Sequence, residues 1–321
     1  MVSVVLNVYN EEKNIQKCLG KIRSQDYPQQ NIEIILVDDN SEDKTVNLAK
    51  MFNVRVYKSG YRNRERAKSI GLSHVNGDYV LFMDADVFLQ GNSWISKAVK
   101  FLEIYPSACA VQNVRWAYES DDFLANRYCN LFGVNDPLVF FLGKRGALMA
   151  TENEWDRAGE IIKKNKDHWL VKFKVNNLPT MGAQGYMSRK ELILKTTWKP
   201  YYFHMDAAYE LVKMGYDEFV LAILPIEHKY VRGIIQFHKK LYRNIVLFMS
   251  LRKYRKYAYD ISFISLLKSL FVMLTIVYPL CQSIKGYLKK RDTAWFLHPI
   301  FCFTVPIMYA FIVVKSKFNK T

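Results

Sequence analysis

The sequence predicts an α/β protein with a doubly wound, mainly parallel sheet, followed by a helical, membrane-associated C-terminal region. Through the first hundred residues, short apolar runs typical of strands alternate with segments of helical periodicity. Two of these runs end in paired acids, Asp38-Asp39 and Asp84-Ala85-Asp86. The last third of the chain is strongly basic and contains two long apolar stretches.

The first elements follow from local sequence. Residues 2–8 form a β-branched run typical of a strand. Asn10, followed by two acids, suits the start of a helix, and apolar residues then recur on one helical face. Further strands are predicted at 32–37, 54–57 and 78–83, and further helices at 43–52 and 64–74.

The pattern is less regular from residue 87 to residue 227. It predicts helices at 93–105 and 207–214 and strands at 108–114 and 219–224. We therefore expect one α/β domain over residues 1–227.

The charge is unevenly distributed. The chain has 321 residues and a net charge of +16, yet residues 1–227 contain 29 Lys and Arg against 28 Asp and Glu, and residues 228–321 contain 17 against 2. This distribution favours anionic membrane lipids as the partner of the C-terminal part and not nucleic acid. The chain begins without the features of a secretory signal, and its five cysteines lack zinc-ligand spacing, so we expect a cytoplasmic catalytic domain with reduced thiols.

Residues 228–259 contain nine basic residues and no acid, with apolar residues at helical spacing, which predicts a basic amphipathic interfacial helix. The stretches 261–281 and 294–314, within a segment 260–321, are each 21 residues long and have one ionisable side chain, Lys268 or His298. Each is long enough to cross a bilayer of about 30 Å. The flanking basic residues favour a hairpin with both ends in the cytosol. A re-entrant or in-plane pair and a buried helical hairpin remain alternatives.

The paired acids belong to three longer motifs. These are VSVVLNVYNEE at 2–12, ILVDDNSEDKT at 35–45 and NGDYVLFMDADV at 76–87. Together they resemble a family-two glycosyltransferase of the GT-A fold, which is Rossmann-like. The resemblance implies a nucleotide-sugar donor and a divalent cation, Mg²⁺ or Mn²⁺. The residues agree, because carboxylate oxygens at one sheet edge can hold a hard cation against a leaving diphosphate.

The resemblance also implies roles for the acids. Asp86 would bind the metal, with Asp84 close enough to share it and to contact the donor ribose or sugar. Asp39 would accept a hydrogen bond from the nucleotide base, and Asp38 would lie beside it. The alternative is a purely structural role, in which such acids cap helices and form turns.

Basic and histidine side chains complete the predicted donor site. Lys68 stands where the family usually has Arg and is the favoured partner of the diphosphate. Arg62, Arg64 and Arg66 are expected on a solvated helix face. His228 stands where related transferases sometimes bring a histidine to the diphosphate or metal, although a single histidine is more often structural.

The acceptor side is predicted from two segments. Gly182 and Gly185 resemble a glycine-bearing loop that lets sugar and backbone approach closely. An inverting transfer needs a general base, and Asp206 is the candidate by resemblance. Counting back from Gly215 without gaps puts His204 at the family position instead, so both residues remain candidates.

We therefore expect a membrane-bound, metal-dependent, inverting glycosyltransferase that faces the cytoplasm. It would move a sugar from a UDP-sugar, favoured over a GDP-sugar, to a lipid-linked or cell-surface glycan. Polyprenyl phosphate is the alternative acceptor. A nucleotidyltransferase would usually have a Gly-rich phosphate loop after the first strand, and a dehydrogenase would have G-x-G-x-x-G; the sequence has neither. A membrane-anchored nucleic-acid binder or scaffold would leave the acids without a role.

Overall fold

The structure is a computed structural model that describes residues 1–257 and 261–318. Positions 258–260 and 319–321, which include the end of the predicted region 228–259 and both ends of 260–321, lie outside the described residues. The strands are β1 Val2–Val8, β2 Ile32–Asp38, β3 Arg55–Lys58, β4 Tyr79–Asp84, β5 Val87–Leu89, β6 Ala110–Asn113, β7 Glu160–Lys164, β8 His168–Lys172, β9 Tyr186–Arg189, β10 Glu218–Ala222 and β11 Ile226–His228. The α-helices are α1 Ile15–Arg23, α2 Thr45–Ala49, α3 Arg64–Leu72, α4 Trp94–Ile104, α5 Leu124–Phe132, α6 Pro137–Phe141, α7 Lys190–Ile193, α8 His204–Lys213, α9 Ile234–Ser250, α10 Phe263–Leu274, α11 Val277–Lys289 and α12 Leu297–Phe318.

The chain forms two compact units. Residues 1–117 and 158–228 make the first, which contains the strands, and residues 118–157 and 229–321 make the second. The second unit begins its main segment close to the predicted boundary at residue 227. It also includes 118–157, a segment whose composition does not distinguish it from its surroundings.

The first unit is built on a nine-stranded sheet with the order β3-β2-β1-β4-β9-β6-β10-β8-β7. Strands β3, β2, β1 and β4 run parallel, which confirms the predicted doubly wound arrangement. Strand β1 lies between β2 and β4, and its residues are almost all buried because helices cover both faces of such a sheet. Its register places Val8 opposite Asp38 and Asn7 opposite Asp84.

Strands of mixed direction extend this parallel half, and within them β6 and β10 pair parallel. Strand β9 lies between β4 and β6, and the hairpin of β7 and β8 follows β10 at the far edge. The sequence did not predict β7, whose five residues are all exposed. Charged residues on such an edge strand discourage pairing with another chain, but they remove the apolar alternation that marks a strand in sequence.

Helix α1 begins later than predicted. It starts at Ile15, and Asn10 does not cap it but adopts a left-handed conformation with φ of 52°. The Asn10 side chain instead accepts a hydrogen bond of 2.9 Å from the Glu42 backbone amide. Asn10 therefore joins the turn after β1 to the turn after β2, at the edge where the acids lie.

Helix α3 packs directly on the centre of the sheet through Gly71. A Cβ atom at Gly71 would lie 2.5 Å from Val5 Cγ1 and 3.3 Å from Val37 Cγ2. We expect Gly71→Ala to lower the free energy of unfolding by about 1–3 kcal/mol, as for other overpacked cores. The control is Gly20→Ala in α1, where nothing lies within 4 Å and alanine should stabilise by up to about 1 kcal/mol. Chemical denaturation of both variants tests this, and equal effects would contradict it.

The second unit is helical. The predicted basic helix is present as α9, shorter than the expected region 228–259. The predicted apolar stretch 261–281 is not one helix, because α10 and α11 meet at an angle of 70°. Residues 293–316 form one segment long and apolar enough to cross a membrane, and the bent pair meets the same criteria only if counted as one span.

Candidate active site

The acids after β2 are held by the ends of neighbouring strands. The Asp39 amide donates a 2.9 Å hydrogen bond to the carbonyl of Val8. The Asp38 carboxylate accepts from the amide of Ser41 at 3.0 Å, so it stabilises the turn. The Asp39 carboxylate accepts from the Ser59 hydroxyl. The Asp38 carboxylate is thus bonded within its own loop, and the Asp39 carboxylate to the residue that follows β3.

The acids after β4 meet two side chains from distant parts of the chain. Gln184 donates to Asp84 Oδ2 at 3.4 Å, and its amide nitrogen lies 3.2 Å from His228 Nε2. His228 Nε2 lies 3.7 Å from Asp86 Oδ1. Strand β11 places His228 opposite Val87, the residue after Asp86, by antiparallel pairing with β5. Four side chains predicted or placed at this edge therefore form one group, which we call the acidic group: Asp84, Asp86, Gln184 and His228.

Positive charges surround Asp84. Burial alone would raise its pKa, but the charges of Lys68 and Arg64 act in the opposite direction and the pKa lies below the ordinary carboxyl value. Lys68 is itself buried, with 4% of its surface exposed. Arg64 was expected on a solvated face. It acts on Asp84 because it precedes Lys68 by one helical turn of α3.

Two arginines of the same segment lie on tyrosine rings. The Arg62 guanidinium is 4.9 Å from the ring centre of Tyr9, and the Arg66 guanidinium is 3.3 Å from that of Tyr61. Tyr9 follows β1 and is 40% exposed, and Tyr61 is 53% exposed. These flat, partly exposed surfaces lie in the turns that follow β1 and β3, on either side of the β2 turn that contains Asp39.

The predicted acceptor loop contacts the start of α8. Gly182 has φ of +86°, and a Cβ atom there would lie 2.9 Å from His204 Cβ. Gly185 has φ of +59°, and its Cβ would lie 2.9 Å from Asn113 Cβ. Both positions need glycine for conformation and for space. The loop between them contains Gln184, so it joins the acidic group to the first residue of α8.

The two candidate bases differ in burial. His204 is the first residue of α8 and is partly buried, whereas Asp206 lies in the first turn and is 3% exposed.

The acidic group fits a divalent cation that arrives with a ligand. Asp84 Oδ1 is buried and accepts no hydrogen bond from the residues that the structure describes. No three His, Cys, Asp or Glu side chains within residues 1–257 and 261–318 form a complete metal site. Mg²⁺ and Mn²⁺ often use only one or two carboxylates and take their other ligands from phosphates and water. The donors present are therefore the kind such a cation needs.

Comparison with known sequences decides the family. The sequence model of glycosyl transferase family 2 matches residues 3–173, which is more than half of the chain. The chain belongs to glycosyl transferase family 2. This confirms the family that the three motifs at 2–12, 35–45 and 76–87 predicted.

Relatives of this family-2 member are similar over part of their length. Glycosyltransferase AglE of Haloferax volcanii is 30% identical over 138 residues, which are 40% of this chain and 43% of that protein. A dolichyl N-acetyl-α-D-glucosaminyl phosphate 3-β-D-2,3-diacetamido-2,3-dideoxy-β-D-glucuronosyltransferase of Methanococcus voltae is 33% identical over 94 residues, 27% of this chain and 29% of that protein. The chain thus spans less than half of the length of these two relatives.

A solved structure confirms the fold. Mannosyltransferase PcManGT of Pyrobaculum calidifontis, in complex with GDP-Man and Mn²⁺, superposes with a TM-score of 0.53. The match covers 95% of this chain and 86% of that one at 16% identity. The predicted GT-A fold is confirmed, and at this identity the likeness supports the fold alone.

The structure brings most of the predicted site residues to one edge and adds one that sequence reasoning missed. Asp38 and Asp39 lie at the end of β2, and Asp84 and Asp86 lie at the end of β4. Lys68 acts on Asp84 from α3, and His228 lies beside Asp86 at the end of β11. Gln184 was seen only as part of a glycine-bearing loop. The signal available in the sequence was that Gln184 carries the one polar side chain of residues 182–185.

Proposed function

We propose that this family-2 protein transfers a sugar from a nucleotide-diphosphate donor to a lipid-linked or glycan acceptor, with a divalent cation and inversion at the anomeric carbon. The observation that carries the proposal is the acidic group, which unites side chains from β4, the 182–185 loop and β11 at the carboxyl edge of a parallel sheet. Ligands bind at this edge in open α/β sheets.

The nucleotide would lie across the ends of β1, β2 and β3. Asp39 would accept a hydrogen bond from the imide N–H of a uracil, with Ser59 fixing the other carboxylate oxygen. The Tyr9 ring, which Arg62 supports from one side, offers a face for stacking of the base. Uracil presents one N–H donor, at N3, whereas guanine presents two, at N1 and N2, so a carboxylate with one oxygen engaged by Ser59 favours UDP over GDP.

The diphosphate would lie between Lys68 and the acidic group. Asp86 and Asp84 would hold Mg²⁺ or Mn²⁺, with His228 beside them. When bound, such a cation stabilises the negative charge that develops on the departing nucleoside diphosphate. Lys68 adds a fixed positive charge whose field already acts on Asp84, and Gln184 holds Asp84 and His228 in a fixed relation.

The transfer itself requires one proton to move. The acceptor hydroxyl oxygen forms a bond to the anomeric carbon while the bond from that carbon to the diphosphate oxygen breaks. The hydroxyl proton passes to a base on the face opposite to the leaving group, and the nucleoside diphosphate leaves with the bonding electrons. Asp206 is our first candidate for this base and His204 the second.

We also propose that the protein acts at the cell membrane with the first unit in the cytoplasm. The exposed basic residues of α9 and of the following segment support this, because each such residue near anionic headgroups contributes about 1 kcal/mol. The printed name of the Methanococcus voltae relative specifies a dolichyl-phosphate-linked acceptor, which agrees with an acceptor that resides in a membrane.

A thermal-shift panel tests donor binding. We expect UDP and UDP-sugars at 100 times Kd to stabilise the protein by about 2.7 kcal/mol when Mn²⁺ is present, and much less with EDTA. Asp39→Asn should abolish this shift. Asp78→Asn is the matched control, since Asp78 precedes β4 at the opposite edge of the sheet and is exposed. If only GDP-sugars stabilise the protein, the donor preference is the reverse of the one proposed. If no nucleotide stabilises it but it binds nucleic acid, the non-enzyme alternative is favoured.

A further inference from the structure

The surroundings of α12 bear on how the protein meets the membrane. At its start, the His298 ring stacks on Phe132 of α5 with centroids 4.0 Å apart. One turn later, Phe301 stacks on Phe237 of α9 at 4.0 Å. Thr304 Oγ1 then lies 2.8 Å from Nε2 of His238. One side of α12 is therefore held by helices that carry polar and charged residues.

The last of these contacts lies beyond the middle of α12. The Tyr309 hydroxyl donates to Asp136, whose carboxylate caps α6. From Tyr309 to Phe318 the helix extends about 14 Å, whereas a crossing needs about 30 Å. If α12 crossed the bilayer, Asp136, His238 and the neighbouring Lys239 would have to enter the hydrocarbon with it, which is strongly unfavourable.

The bent pair reaches the length of a crossing only if it is counted as one span that includes Lys285 and Lys289. Helix α10 has 12 residues and α11 has 13, which correspond to about 18 Å and about 20 Å. Because the two helices meet at 70°, the part from Phe263 to Ile284, which ends just before Lys285, extends about 25 Å from end to end. Lys268 is exposed near the middle of α10. Its charge would face lipid in a crossing helix but can reach the surface from a helix that lies flat.

Each of the three helices nevertheless has an apolar exposed side. On α12 the exposed apolar residues recur every three or four positions and so lie along one side over nearly the whole length. They are Ile300, Phe303, Ile307, Phe311 and Val314. On α10 and α11 the corresponding exposed residues are Phe263, Ile264, Leu267, Phe271, Leu274, Val277, Leu280, Ile284 and Leu288. We call these residues together the apolar side of the second unit.

Basic residues accompany this apolar side. Among the described residues of 229–318 the sequence has one acid, Asp292, and it is paired with Arg127 at 3.2 Å. The exposed basic side chains are Arg232, Lys239, Arg243, Arg252, Lys253, Lys256, Lys268, Lys285, Lys289, Arg291 and Lys315. An apolar side with basic neighbours and almost no acid is complementary to an anionic lipid surface.

We infer that the second unit inserts into a single leaflet of an anionic phospholipid bilayer, with α10, α11 and α12 lying in the plane of the membrane and none crossing it. This inference rests on the proposed membrane location and not on the sugar-transfer chemistry. It selects the in-plane arrangement that the sequence left open beside the crossing hairpin.

Fluorescence quenching at several depths tests this arrangement. Single cysteines at Ile300, Ile307 and Phe311 of the full chain carry an environment-sensitive label, with Cys281→Ser removing the exposed native thiol; the other four native cysteines are buried. The protein is bound to phosphatidylcholine–phosphatidylglycerol vesicles with a nitroxide either near the headgroup or near the chain end. The three labelled positions are exposed, so a label there does not disturb packing. Gly286, between α10 and α12 in the chain, is unsuitable for a label, because a side chain there would lie 2.5 Å from the Trp295 ring.

The in-plane arrangement predicts the same ratio of shallow to deep quenching at all three positions. A crossing helix would place Ile300 and Phe311 at depths that differ by about 16 Å along its axis, so a ratio that changes steadily along α12 would overturn the inference. A label at Lys239, on the polar side of α9, should not be quenched by the deep nitroxide. Vesicle binding itself separates the membrane location from the sugar-transfer activity. A protein that does not bind the vesicles but still transfers sugar would refute the membrane location and leave the proposed activity standing.

Discussion

Asp86→Ala is expected to abolish sugar transfer while the fold remains intact. Asp86 is in the loop after β4, and its carboxylate lies 3.7 Å from His228. It is one of the two acids proposed to hold the cation. Loss of a single group that stabilises developing charge costs about 10²–10³-fold in kcat, and loss of the cation would cost more. The variant removes a short polar side chain at a loop and leaves no apolar cavity, so its thermal unfolding should stay close to that of the parent protein.

Steady-state turnover with a UDP-sugar, measured alongside circular dichroism, tests this expectation. Asp78→Ala is the control, because it removes an exposed carboxylate from the other end of the same strand. Activity of the unaltered protein should fall with EDTA and return with Mn²⁺ or Mg²⁺. Full turnover after EDTA treatment, or substantial activity in Asp86→Ala, would show that the metal role is wrong.

The location of the acidic residues could be predicted because it follows from topology. Parallel strands bring their carboxyl ends to one edge, so an acid after each of two such strands must converge whatever lies between them. The register confirms this, with Asp38 and Asp84 opposite consecutive residues of β1. Local sequence was enough for this part of the site.

The contribution of Gln184 could not be predicted in the same way. Its amide reaches Asp84, which is 100 residues away along the chain, and His228, which is 44 residues away, and no local pattern encodes such contacts. Arg64 is a similar case, since its effect on Asp84 depends on how closely α3 packs on the sheet through Gly71. Both depend on tertiary packing and not on spacing along the chain.

The bend between α10 and α11 was missed for another reason. Residues 261–281 are predominantly apolar, so composition indicates one continuous helix. The helix nevertheless ends at Leu274, and Ile276 adopts φ of +60°, which is uncommon for a β-branched residue. Hydrophobicity fixes which residues avoid water but not the direction in which the helix axis runs.

Asp206→Asn is expected to lower kcat by about 10²–10⁴-fold, the range that general-base catalysis supplies, with little change in donor binding. The base acts on the acceptor hydroxyl in the transition state, so its loss should reduce kcat and kcat/KM together. Asparagine keeps the size of the side chain at this buried position, where Asp206 is 3% exposed, so the fold should tolerate it. Donor affinity measured by titration should match that of the parent protein.

His204→Ala separates the two candidate bases. His204 is the first residue of α8 and contacts Gly182 of the acceptor loop, so its removal should alter acceptor KM more than kcat if Asp206 is the base. A larger fall in kcat for His204→Ala than for Asp206→Asn would assign the base to His204. If neither variant lowers kcat with a polyprenyl-phosphate acceptor, that acceptor becomes the favoured one, because a phosphate oxygen is already ionised and needs no base to attack the anomeric carbon.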